Sequence, residues 1–192
     1  MKKLTFILLL FLAGSGYAQK AKNVRFVNHT EFGGLFGRVK YENPYAGNAN
    51  QVDSKTSLTI QTFNGIQIHD KLSTGVTLGM DWYKTALLNP IAGGIRYDFV
   101  AEKNVKLFGT VDAGYAFTWF HDDADGADTK GGIMVNPGVG MRVGKPGVAA
   151  FTITLTYKRQ EAHITKVPLW DQKERYEDRV YNRLALRLGI SF

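Results

Sequence analysis

The chain of 192 residues carries 24 Lys and Arg against 17 Asp and Glu, a formal charge of +7, and contains no cysteine. The charge is modest and scattered, with no basic stripe interleaved with aromatics, which argues against nucleic acid as a partner. Without cysteine there is no disulfide framework, and no residue that could carry a lipid anchor after a secretory leader.

Taken in chain order, Lys2 and Lys3 precede the apolar run LTFILLLFLAG, and SGYA follows with Gly16 and Ala18 spaced as in a leader cleavage site. The run is shorter than the roughly 20 apolar residues a spanning helix needs, so residues 1–18 read as a signal peptide and 19–192 as the mature domain, beginning at Gln19. Beyond it no sustained helical periodicity appears. Strand signals fall at about 30 to 41, 54 to 68, 72 to 83, 89 to 102, 105 to 120, 132 to 143, 148 to 160 and 179 to 192. Most are long enough for a tilted strand to cross a bilayer. Connections 69–71, 102–104 and 144–147 are tight, whereas 42–53, 121–131 and 163–178 are long and polar, and KTALL between the third and fourth segments is short where a long one is expected. Alternating short and long connections are those of an up-and-down barrel.

The final segment shows the alternation most clearly. Phe192, Ile190, Leu188, Leu186 and Leu184 alternate with Ser191, Gly189, Arg187, Ala185 and Arg183. A period of two with unlike faces fits a strand lying on a protein core or on lipid. The polar faces help choose between a soluble ligand-binding barrel of the lipocalin kind and a membrane barrel. They read Gly75, Thr77, Gly79 and Asp81, then Thr110, Asp112, Gly114 and Ala116, then Asn136, Gly138, Gly140 and Arg142. Small residues with a few opposite charges suit the crowded lumen of an eight-stranded barrel, whereas a water-exposed surface has no need of small ones. Aromatics recur near strand ends, at Trp82, Tyr83, Tyr97, Phe99, Trp119, Phe120, Tyr157 and Tyr181, as in interfacial girdles.

The ending LALRLGISF, with Phe192 last, resembles the C-terminal strand of Gram-negative outer-membrane barrels, and the layout is similar to that of the eight-stranded OmpA-barrel and OmpX type. The resemblance implies an all-β, eight-stranded antiparallel up-and-down transmembrane β-barrel in the cell outer membrane, with the short turns in the periplasm. It also implies recognition of Phe192 by the barrel-assembly machinery, outer-membrane lipid as surroundings and a monomeric state. Parity then sends Asp81, Arg96, Asp98, Asp112, Arg142, Lys158, Arg183 and Arg187 into the lumen, where acids and bases in reach of one another form a polar network that blocks ions.

Motifs for chemistry are sparse. The loop acids Asp122, Asp123, Asp125 and Asp128 lack the glycine and glutamate positions of an EF-hand, and GVGMRVG has neither the spacing nor the following helix of a dinucleotide fingerprint. His29, His69, His121 and His163 show no ligand pairing, so no metal and no cofactor is expected. His163-Ile164-Thr165 resembles the His-x-Ser pair of PagL-type lipid A deacylases, which implies Thr165 as nucleophile, His163 as base and Glu174 or Glu177 as acid; the Ser and the following Asn of that family are absent. The sequence therefore points first to a structural or surface-interaction barrel, second to a lipid-modifying hydrolase, and third to a narrow channel or small-ligand barrel.

Overall fold

The computed structural model describes residues 25–41, 51–83, 86–102, 104–121, 128–145, 148–166 and 175–192. The leader, Gln19, Glu174 and the loop acids 122, 123 and 125 lie outside them. Eight strands follow one another: β1 (Arg25–Tyr41), β2 (Gln51–His69), β3 (Leu72–Tyr83), β4 (Ala86–Ala101), β5 (Val105–Phe117), β6 (Asp128–Val143), β7 (Ala150–Lys166) and β8 (Arg175–Ser191). Each pairs antiparallel with the next, and β8 closes on β1 to give a barrel. The closure reaches the last residue, since the Asn28 and Phe192 backbones exchange both hydrogen bonds.

The register sets the shape. Followed once round from Asn28 through Asn64, Val76, Gly93, Ala113, Val135, Arg159 and Asn182, the pairing returns to Arg38. The stagger of ten residues (38 minus 28) goes with strands inclined by about 40° and an interior just wide enough for side chains to fill. Outward and inward faces then differ sharply. On β8, Leu184, Leu186, Leu188 and Ile190 are 46–54% exposed, while Arg183, Ala185 and Arg187 are at most 1% exposed. The same outward apolar row continues through Phe32, Phe36, Ile60, Val76, Leu78, Ile95, Val111, Val139 and Leu155. Water-exposed surfaces do not tolerate a continuous apolar belt of this extent, whereas a bilayer requires it.

Several strands run further than the sequence pattern shows. β1 begins at Arg25, β4 at Ala86, β6 at Asp128 and β8 at Arg175, and β7 continues to Lys166. The long connections expected at 121–131 and 163–178 shrink accordingly, and His163 and Thr165 sit in β7, not in a loop. Beyond the belt both faces meet polar surroundings, so the apolar alternation vanishes while the backbone ladder continues. Tyr83 pairs with Ala86, leaving only residues 84 and 85 to join β3 and β4. β5 ends at Phe117, three residues short of the expected end.

Candidate functional site in the barrel lumen

The site is built by the inward positions of all eight strands, in layers between the end that holds Arg25 and Phe192 and the opposite end, where β1 leads out at Tyr41. Nearest the termini lies an open vestibule of about 550 Å³, lined in part by Asp98, Lys106 and Arg142. Above it an aromatic layer crosses the lumen. His29 meets Phe63 and Phe108 edge-on, at ring-centroid distances of 5.8 and 5.4 Å. Arg96 lies 4.3 Å from the Phe63 ring centre and Arg142 5.4 Å from that of Phe108. Neither ring nitrogen of His29 has a hydrogen-bond partner among the described residues, and the ring is 1% exposed.

The next layer is ionic and organised around three buried carboxylates. Asp112 accepts from Arg96 Nη1 at 2.8 Å, Thr77 Oγ1 at 2.6 Å and Asn136 Nδ2 at 3.2 Å. Asp81 pairs with Lys158 and accepts from Thr59 Oγ1 at 2.7 Å. Glu31 accepts from Gln61 Nε2 at 3.0 Å and Thr154 Oγ1 at 2.9 Å, with Arg187 Nε 3.5 Å away. Three acids thus face three bases. A buried charge is tolerated only when paired and hydrogen-bonded, and these hubs meet that condition through neighbours from adjacent and facing strands.

Towards the loop end the lumen turns apolar. Leu35, Leu88, Ala116, Ala162 and Ala185 pack there with the Tyr83 and Tyr181 rings, stacked at 4.2 Å. Arg183 donates to the carbonyl of Gly37, its register partner on the adjacent β1, and both tyrosine rings lie within 6.0 Å of its guanidinium. Gly37 has a φ of +146°, a region open to glycine, and a Cβ there would sit 2.6 Å from the Asn182 carbonyl. Tyr83 and Tyr181 therefore belong to the interior and not to an interfacial girdle.

Lumen glycines are the complement of these large groups. A Cβ on Gly140 would fall 2.4 Å from Phe108 Cζ, and one on Gly94 would fall 2.5 Å from Asp112 Oδ1. Glycine at these positions lets the aromatic and ionic layers occupy the cross-section.

The structure places Asp81, Arg96, Asp98, Asp112, Arg142, Lys158, Arg183 and Arg187 on inward positions, but it distributes them over separate layers. Asp98 and Arg142 belong to the vestibule, Arg183 to the apolar layer, and the remainder to the ionic layer. Sequence reasoning missed Glu31, Phe63, Phe108 and His29. Glu31 and His29 are inward by the same parity that places Leu35 inside; His29 precedes residue 30, where the apolar alternation starts, whereas Glu31 lies within the segment and was legible by parity.

The hydrolase constellation does not assemble with Glu177. His163 and Thr165 face outward, whereas Glu177 points inward opposite Ile164, is 3% exposed and bonds Arg179 Nε. Outside, His163 Nδ1 meets Asp178, both exposed, and no hydrogen bond joins His163 to Thr165.

Comparison with known proteins finds no matching family model and no matching curated protein. Among solved structures the chain is similar to the outer membrane protein OprG from Pseudomonas aeruginosa, at 14% identity over 86% of this chain and 93% of that one, with a TM-score of 0.57. It is also similar to the N-terminal β-barrel domain of Pseudomonas aeruginosa OprF, at 13% identity over 87% and 97% and a TM-score of 0.49. Neisserial surface protein A matches at 15% identity over 88% and 98%, with a TM-score of 0.45. The likeness to OprG is one of fold, the closed eight-stranded antiparallel barrel.

Proposed function

We propose that the protein is a monomeric integral outer-membrane barrel with a non-conducting lumen, serving as a rigid anchor that presents its extended strand ends and loops to envelope or external partners. One observation carries the reading: an outward apolar belt encloses an interior whose largest buried side chains, Arg183, Arg187, Tyr181, Phe63, Phe108 and Lys158, all project into the lumen. The similarity to OprG, which is described as an outer membrane protein, supports the compartment. In this placement the end with the termini faces the periplasm, and Phe192, 66% exposed and paired through its backbone to Asn28, is offered to the barrel-assembly machinery.

Two measurements test the proposal. Cell fractionation with gel electrophoresis before and after boiling should place the protein in the outer membrane as a heat-modifiable band, since a closed barrel resists detergent unfolding when cold. Planar-bilayer recordings should show no discrete conductance. Recovery of folded protein from the soluble periplasm would overturn the placement, and stable single-channel steps would overturn the closed lumen and favour a channel.

A further inference from the structure

The periplasmic vestibule is a built pocket with a surplus of positive charge. Its volume of about 550 Å³ lies within the range of small-molecule sites. Four cations line it, Arg25, Lys106, Arg142 and Lys145, against three anions, Asp98, Glu102 and the terminal carboxylate of Phe192, which leaves a surplus of one positive charge. At the floor, one carboxylate serves two cations. Asp98 Oδ2 lies 3.3 Å from Lys106 Nζ, and its Oδ1 lies 3.3 Å from Arg142 Nη2. Both contacts are longer than the 2.7–2.9 Å of a fully formed charge-assisted hydrogen bond.

The donors left over point to a ligand. Arg142 Nε is buried and has no hydrogen-bond partner among the described residues. At the rim, Arg25 and Lys145 are exposed and make no ion pair with described residues. The floor is also preorganised. Arg142 is held against the Phe108 ring, so little side-chain freedom remains to be lost when an anion arrives. A guanidinium with an unpartnered Nε–H, and with an Nη2 held only loosely by Asp98, suits a phosphate or carboxylate oxygen as acceptor.

We propose that this vestibule binds a small oxyanion, a phosphate or carboxylate group, with Arg142 and Lys106 as its principal donors and Arg25 and Lys145 drawing the anion in from the rim. The site lies on the periplasmic side of the aromatic layer, so it does not depend on whether the lumen conducts; the bilayer recordings and the titration below fail independently.

The test uses the full mature barrel in nanodiscs of phosphatidylcholine, titrated with inorganic phosphate at constant ionic strength and followed by NMR of the arginine Nε–H groups. Binding predicts a saturable shift of the Arg142 Nε–H signal, absent from Arg183 near the loop end. In the Lys145→Gln, Arg25→Gln double variant, which breaks no described ion pair, affinity should fall severalfold with the fold intact. In Lys106→Gln it should fall about tenfold. Nanodiscs containing phosphatidylglycerol separate the sources: a shifted Arg142 signal before phosphate is added assigns the oxyanion to a lipid headgroup, and a shift only on titration assigns it to a free anion. A response that grows without saturation, or one equal in wild type and both variants, overturns the site.

Discussion

Replacing Asp112 by alanine tests whether the lumen is held by paired charge. Asp112 is fully buried and accepts from Arg96, Thr77 and Asn136, so the change removes one ion pair and orphans two neutral donors. Arg96 itself is 4% exposed and, among the described residues, keeps only its contacts with the Ile95 carbonyl, Thr77 and the Phe63 ring. Breaking a buried pair on one side costs about 3 to 5 kcal/mol, because the remaining charge loses its partner without regaining water. The orphaned donors add to this less than additively, so a total of about 4 kcal/mol is expected, near a thousandfold in the folding equilibrium. Removing both charges in Asp112→Ala with Arg96→Met should recover much of that loss, since no uncompensated charge is left. The assay is urea denaturation in phospholipid vesicles, followed by tryptophan fluorescence and by the cold gel shift. A loss below about 1 kcal/mol for Asp112→Ala, or a double variant whose loss is the simple sum of the single ones, would refute the paired-charge account.

Leu186→Arg on the outward face should destabilise the barrel by about 2 to 4 kcal/mol if the position lies near the bilayer midplane, read from the same urea curves, whereas Ala185→Ser beside it on the inward face should be mild. Gly140→Ala should cost about 1 to 3 kcal/mol through overpacking against Phe108, and Phe108→Leu in the same chain should relieve part of it, measured as a double-mutant cycle. Because His163 and Asp178 are exposed, His163→Ala should change stability by less than about 1 kcal/mol, and wild type and Thr165→Ala alike should leave the lipid A acyl content of vesicles unchanged by mass spectrometry; acyl release by wild type and not by Thr165→Ala would restore a hydrolase.

What the sequence determined by itself is the face of each residue. A strand period of two, read from Leu184 to Phe192 or from Val76 to Trp82, sorts residues onto two opposite faces without knowledge of any partner strand, because neighbouring side chains must point to opposite sides. The bounds of β3 were legible for the same local reason, and the tight turn expected at 69–71 is found at 70–71, with His69 ending β2. What the sequence left open is everything that depends on stagger. Asp112 meets Arg96 across the β4–β5 pair and Glu31 meets Gln61 across the β1–β2 pair through local register, but Lys158 meets Asp81 from 77 residues away and Thr154 of β7 reaches Glu31 only because the strands are offset by ten residues around the closed barrel. Likewise Tyr83 and Tyr181 stack inside instead of joining the aromatic belt, and Glu177 turns away from His163 because one residue of strand separates two faces. Shear is a property of closure, shared among all eight strands, and no single segment records it.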